Sequence, residues 1–261
     1  MSADQSNFGR ALKLLTDVQG LRVWSLIVSL FGDLAQSSGD QISSAALGRV
    51  MQVIGIKPEA MRVALHRLRR DGWIESIRSG RNTWHQLTPF GREQSARVSP
   101  AIYRSGNPKI HQWHILVAHV TEASRNELGV LTRDTSHVLV GGVVAIGAGP
   151  APKVDDVFSL EGGKAAFPDW LKEKLCPPEL LDRYLRFEQV LEQVAGFTPQ
   201  GLTAPQRAAL RALIVHNWRR LVLRHPDLPA VCFPKDWRGP TCREKVHSLL
   251  SVCERPRLEE L

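Results

Sequence analysis

The sequence predicts a mixed α+β chain in three parts, on three observations. Residues 57–91 carry a helical apolar repeat followed by two short strand-like runs about a glycine-containing turn. Residues 109–165 hold Val- and Gly-rich runs of strand length. From Pro168 onward the apolar spacing is helical. The parts are bounded at 1–105, 106–167 and 168–261, with Ser105-Gly106-Asn107-Pro108 as a linker by composition.

Taken in order, residues 1–8 read as disordered, and Leu12, Leu15 and Val18 mark a short helix interrupted at Gln19-Gly20. Trp24, Ile27, Val28 and Phe31 give a helical stripe ending near Gly32, with its aromatics expected in the core. Ser43-Ser44 is a cap, and Leu47, Val50, Met51 and Ile54 line the helix it opens, which stops at Gly55. Pro58 suits a first helical position, whose N–H has no partner anyway. Met61, Ala64, Leu65 and Leu68 then recur at i, i+3, i+4 and i+7. The opposite face carries Glu59, Val63, His66 and Arg70, flanked by Arg62 and Arg67. Asp71-Gly72 ends this helix. Trp73, Ile74 and Ile77 read as a strand, Arg78-Ser79-Gly80-Arg81 as a turn, and residues 83–87 as the return strand. Thr88-Pro89 opens a helix reaching about Tyr103.

Two capped helices, a short turn and a hairpin behind the second helix make the order of a winged helix-turn-helix domain. A helix has the width of a DNA major groove. The charge agrees: residues 57–104 hold ten Lys and Arg against four Asp and Glu, so +6 of the net +8 sits there. A localised basic surface is the footprint of polyanion binding. Double-stranded DNA is therefore the expected partner. Glu59, Val63, His66 and Arg70 face the groove, and Arg62 and Arg67 reach bases or phosphates. Arg78 and Arg81 at the hairpin tip hold phosphates or enter a narrow minor groove. Lys57 lies beside the free N–H groups of the helix start. The competing reading is a solvated basic helix beside an ordinary hairpin.

In the middle part, residues 113–120 read as a strand, 122–128 as a short helix, 137–146 as a strand pair kinked at Gly141-Gly142, and 156–160 as a further strand. Gly147-Ala148-Gly149 lacks the third glycine of a dinucleotide loop and is followed by Pro150 and Pro152, so that motif is rejected. In the last part, 170–175, 178–194 and 205–223 read as helices, with another from about Thr241 after a proline-rich stretch at 226–240. Leu210, Leu213, Ile214, Trp218 and Leu221 share one face, with Asn217 among them. A buried amide needs partners, from a neighbouring loop or from a ligand. Arg219, Arg220 and Arg224 form a cationic cluster that serves either the helix end or an anionic ligand.

Composition narrows the function classes. Cys176, Cys232, Cys242 and Cys253 have no CxxC spacing, so reduced thiols are expected and no zinc knuckle. The first residues lack the apolar core of a signal peptide, and the run at 23–31 is too short to span a bilayer. A cytoplasmic protein without membrane contact is expected. Ser/His/Asp or paired-carboxylate constellations are absent, so no enzyme activity, cofactor or metal is expected. His111 and His114 have HxxH spacing, more often structural than ligating.

The two ends of the chain resemble the PaaX family of bacterial phenylacetic acid catabolism repressors. The resemblance rests on Phe31-Gly32-Asp33, Arg62-Val63-Ala64, Arg67-Leu68, Gly72-Trp73, Gly80-Arg81, Leu87-Thr88-Pro89 and Gly91. In the C-terminal part it rests on His216, Arg219-Arg220, Leu223-Arg224, Pro226, Leu228-Pro229, Pro234, Asp236-Trp237 and Gly239. Asn217-Trp218 stands where the family usually has an acidic residue and a Tyr or Phe, and His225 replaces a usual Asp. The resemblance implies a winged helix-turn-helix, a ferredoxin-like (Cas2-like) middle domain and a helical C-terminal domain. It also implies a homodimeric repressor of an aromatic catabolic operon, released by an aromatic acyl-CoA. Asn217, Arg219, Arg220 and Arg224 are the residues expected to meet that effector. A Cas2-like fold also raises metal-dependent nuclease activity, but the first middle strand ends in Ala118-His119-Val120 without the needed carboxylate. A regulator answering another small molecule and an architectural DNA binder are the other readings.

Overall fold

The computed structural model describes residues 3–107, 113–131, 136–163, 165–196 and 201–261. In order the elements are α1 (Ala3–Asp17), α2 (Val23–Leu34), β1 (Ile42–Ser43), α3 (Ser44–Ile54), α4 (Pro58–Arg70), β2 (Ile74–Ser79), β3 (Asn82–Leu87) and α5 (Pro89–Tyr103). There follow β4 (Trp113–Ala118), α6 (Glu122–Leu131), β5 (His137–Val140), β6 (Val144–Ala148), β7 (Val157–Glu161), α7 (Asp169–Leu175), α8 (Pro178–Ala195), α9 (Ala204–Val222) and α10 (Gly239–Val252). The chain is α+β, with two antiparallel sheets among the described residues. It divides into two compact units: Met1–Arg104 with Arg186–Arg219 and Glu244–Leu261, and Ser105–Leu185 with Arg220–Arg243. This partition cuts across the three-part division in chain order, because the helical C-terminal stretch contributes to both.

In the first unit, α1 begins at Ala3, ahead of the disordered start expected through residue 8. Phe8, Ala11, Leu12 and Leu15 are buried, and tertiary packing of an apolar face is what holds a short helix together. The Ser43 hydroxyl accepts from the Ala46 N–H at 3.0 Å and opens α3; Gly55, at φ 84°, closes it. Three residues later α4 starts at Pro58. Its Ala64, Leu65 and Leu68 are buried, and α2 and α3 pack against it.

β2 and β3 pair from Ile74↔Leu87 to Ser79↔Asn82, and β1 adds to β3. The hairpin turn is only Gly80-Arg81, so Arg78 lies within β2 opposite Thr83 and not in the turn expected over 78–81. A two-residue loop with a positive φ at its first position, here Gly80 at 58°, follows the natural twist of the strands. The Thr88 hydroxyl caps α5 by accepting from the Gly91 N–H at 3.0 Å. A Cβ on Gly91 would run into the Trp73 carbonyl, so this helix start needs a residue without one.

α9 departs from the one-sided stripe read in the sequence. Residues 208–218 are all buried, so the helix is enclosed and its polar side chains need internal partners. Arg211 pairs with Asp33, Asn217 Nδ2 donates to the Leu15 and Leu213 carbonyls at 2.7 and 3.0 Å, and Trp218 Nε1 donates to the Ile102 carbonyl at 3.0 Å.

In the second unit the strands run β5-β6-β4-β7, each antiparallel to its neighbour. Leu128 of α6 packs with Leu116, Ala118 and Ala145 on one face. Gly141 and Gly142, both at positive φ, sit in the turn joining β5 to β6, not in a kinked strand. The strand order and the antiparallel pairing agree with the βαββαβ plan that the resemblance implies, with β4-α6-β5 as its first half and β6 and β7 as its last two strands. The departure is the second helix of that plan: residues 149–156 join β6 to β7 without one. A crossover helix needs a dozen or so residues, and Pro150 and Pro152 deny it the backbone as well.

The same unit holds a buried aromatic cluster. His225 Nδ1 donates to the Pro226 carbonyl at 2.8 Å, which leaves Nε2 to accept from the Tyr184 hydroxyl at 2.7 Å. Phe233 stacks on Trp237, and both rings border His225. Burial pushes the His225 pKa down to about 4.

Candidate nucleic-acid interface

The outward face of α4 follows from its sequence. Alanine and leucine at 64, 65 and 68 turn inward, so Glu59, Arg62, Val63, His66, Arg67 and Arg70 are all exposed. Val63, a large apolar side chain, is 71 % exposed in the middle of this polar face. Lys57 is exposed at the N-cap and makes no side-chain cap bond. Arg78 and Arg81 are exposed at the hairpin end. Every residue expected at a DNA surface is thus solvent-facing.

The cations differ in their contacts. Arg67 lies with its guanidinium 4.5 Å from the Trp24 ring centroid, and its Nε donates to Asp71 at 3.3 Å. Arg70 also reaches Asp71, at 3.1 Å. The Arg70 hydrogen bond first, and Arg67 with it, holds the exposed Asp71 carboxyl below its usual range. Arg62 and Glu59 stand 3.7 Å apart, both 70 % exposed, a pair that water screens to little value. Arg67 is therefore the pre-oriented cation of the face. Trp24, expected in the core, is half-buried and serves as the plate beneath it.

A second feature missed in the sequence fixes the hairpin to the helices. His85 of β3 is buried and shares hydrogen bonds with the hydroxyls of Ser44 and Ser76, at 2.8 Å each. Burial, and then the Arg69 charge, lowers its pKa. The imidazole ties the start of α3 to both strands. Nothing in local spacing signals this, since Ser44, Ser76 and His85 come from three elements.

The residues expected at an effector site fare differently. Asn217 is buried and its amide Nδ2 is committed to two backbone carbonyls. Arg219 is half-buried, with its guanidinium 3.4 Å from the Ser25 hydroxyl. Arg224 is exposed and donates from Nε to the Arg220 carbonyl at 3.0 Å. Asn217 and Arg219 belong to the first unit, Arg220 and Arg224 to the second.

His111 lies outside the described residues. Among the described residues, no group of three or more His, Cys, Asp and Glu side chains is placed to hold a metal, and no helix is long and apolar enough to cross a membrane. All four cysteines are free and buried; burial pushes the thiols of Cys176 and Cys232 up to about 12.

Comparison with known proteins adds the following. Residues 22–91 match the family described as PaaX-like protein, and residues 178–256 match its PaaX-like protein C-terminal domain. The transcriptional repressor PaaX of Escherichia coli is 27% identical over 247 residues, covering 84% of this chain and 77% of its own. An uncharacterized protein from Mycobacterium tuberculosis has a solved structure that covers 88% of this chain and 94% of its own, at 19% identity and a TM-score of 0.46, too loose a likeness to bear on function. The two matched segments together take in more than half of the chain, one on the basic helix and hairpin and one on the enclosed helix behind them: the chain belongs to the PaaX-like family.

Proposed function

We propose that the chain is a DNA-binding transcriptional regulator whose α3, α4, β2 and β3 work as a winged helix-turn-helix. The observation that carries this is the exposed face of α4, where an apolar Val63 is surrounded by Arg62, His66, Arg67 and Arg70, next to a hairpin with Arg78 and Arg81 at its end. On DNA, α4 lies in the major groove and the hairpin takes neighbouring phosphates. Arg67 pairs bidentately with guanine, Val63 meets a thymine methyl, and Lys57 with the first N–H groups of α4 holds a phosphate. The likeness to the Escherichia coli transcriptional repressor supports repression as the mode; a homodimer on a two-fold operator is the assembly that helix-turn-helix geometry favours. The test is selection from random duplex DNA followed by binding of the enriched sequence. A palindromic site is expected; no enriched motif, or retention independent of salt, would overturn the reading.

The regulated operon is of the aromatic, phenylacetate type in this proposal, and an aromatic acyl-CoA releases the repressor. A CoA thioester brings phosphates and an apolar tail, and the exposed Arg224 beside the half-buried Arg220 supplies cations for the former. Release requires the ligand to prefer the conformation that leaves DNA. Phenylacetyl-CoA is expected to weaken operator binding; if a panel of acyl-CoAs leaves the affinity unchanged, the effector class is wrong even where DNA binding holds.

A further inference from the structure

The sheet of the second unit places four residues in one cross-strand row: Glu161 of β7, His114 of β4, Gly147 of β6 and His137 of β5. Residues paired in this way share a face. The two histidines are not neighbours, because β6 runs between their strands. They meet over Gly147, with Nε2 of His114 2.9 Å from Nε2 of His137. A Cβ on Gly147 would lie 2.5 Å from His114 Nε2 and 2.5 Å from His137 Cδ2. Gly147 does not have a positive φ, so its missing side chain serves space and not backbone freedom.

The outer nitrogens decide what lies between the rings. His114 Nδ1 faces the Gly149 carbonyl at 3.0 Å, and a carbonyl only accepts, so Nδ1 carries a hydrogen. Neutral His114 then presents a bare Nε2 lone pair to His137. His137 Nδ1 is 2.7 Å from the Ser136 hydroxyl, which can donate or accept. A proton on His137 Nε2 fills the gap when the Ser136 hydroxyl donates to Nδ1. Moving that hydrogen to Nδ1, with the hydroxyl now accepting, turns both Nε2 lone pairs on one point. Two imidazoles so aimed, each with its far nitrogen held by a carbonyl or hydroxyl, have the outer-shell support of a metal site.

We propose that His114 and His137 bind one divalent transition-metal ion of the zinc class over Gly147, with water completing the coordination. Two imidazole nitrogens on a tetrahedral zinc stand about 3.3 Å apart at ordinary Zn–N lengths. The observed gap needs only a small widening to reach it. Nitrogen donors favour Zn2+, Ni2+ or Cu2+ and disfavour Mg2+ and Ca2+. On binding, the single hydrogen of the neutral His137 ring moves from Nε2 to Nδ1, where the Ser136 hydroxyl accepts it, and Nε2 takes the metal with no net release of a proton. His114 is 1 % exposed and His137 half-buried, so the ion enters from the β5 side. The HxxH spacing of His111 and His114 does not point to this pair, whose second ligand comes from two strands away.

The test is calorimetric titration of the chelator-treated full chain with Zn2+, then Mg2+, on wild type, His137→Ala and Gly147→Ala. Wild type is expected to bind one Zn2+ that Mg2+ does not replace. Each variant should lose affinity by at least about tenfold. Gly147→Ala keeps both ligands and parts them; His137→Ala removes a partly exposed ligand with no new bulk and decides the matter if the glycine variant does not fold. Absence of Zn2+ binding by wild type, or equal affinity in a folded His137→Ala variant, overturns the site.

Discussion

Asp33 of α2 takes two hydrogen bonds from the Arg211 guanidinium of α9, at 2.8 Å from Nε and 2.9 Å from Nη2. Both side chains are buried, and the same Asp33 accepts from the Tyr103 hydroxyl at 3.0 Å. Arg211 Nη1 donates in turn to the Leu250 and Cys253 carbonyls. One ion pair thus joins the helix that backs α4 to helices far away in sequence. Removing one partner of such a pair strands a charge. Arg211→Ala should cost about 3–5 kcal/mol of stability, read from urea unfolding; a loss under about 1 kcal/mol would place the pair among surface bridges.

The same bond predicts the fate of a fragment ending at Arg104. It would expose Asp33 and the apolar faces that α9 covers, and leave Leu15 O and Ile102 O without the Asn217 and Trp218 donors. Such a fragment should lack a cooperative thermal transition by circular dichroism. A sharp transition in it would show that the winged part folds unaided.

Arg67→Ala should weaken binding to the selected operator by about 1–3 kcal/mol while leaving the fold intact. Trp24→Leu keeps the arginine but removes the ring beneath it. A smaller loss, about 0.5–1 kcal/mol, is expected in a binding titration. No change in either variant would mean that the pre-oriented cation does not touch the duplex.

Salt provides a separate measure. If each subunit neutralises about four phosphates, log K for a dimer should fall against log salt with a slope of roughly −7. Arg81→Ala at the hairpin tip should make the slope shallower by about one unit per subunit. An unchanged slope would remove the hairpin from the interface.

His225 sets a pH dependence. Its folded pKa, about 4, lies below the usual value of about 6.5, so in between the unfolded chain binds a proton that the folded chain refuses. Stability from this residue is complete above about pH 6.5, declines as pH falls toward 4, and levels off below that. The loss is on the order of 3 kcal/mol. Unfolding free energies measured from pH 7 to 4 should show the decline, and His225→Asn should flatten it.

Local chemistry was legible in the sequence wherever one element sufficed. Ser43, Pro58, Gly55 and Thr88 announced helix ends, and the spacing of Ala64, Leu65 and Leu68 announced which side of α4 faces out. Partners from distant elements were not legible. Trp24 read as core because its stripe is apolar, and only the fold shows Arg67 over it. Asn217 read as bonded to a neighbouring loop or to a ligand, and only the fold shows α1 supplying the carbonyl. The middle sheet was legible as strands, whereas the missing second helix follows from a connection at 149–156 too short, and too rich in proline, to form it.

The bonds from α9 to Leu15, Asp33 and Ile102 bridge 202, 178 and 116 residues of chain. A chain emerging from the ribosome therefore presents α4 long before the supports behind it exist. The exposed face of α4 gains its backing only once α9 and the Cys253 carbonyl have been made.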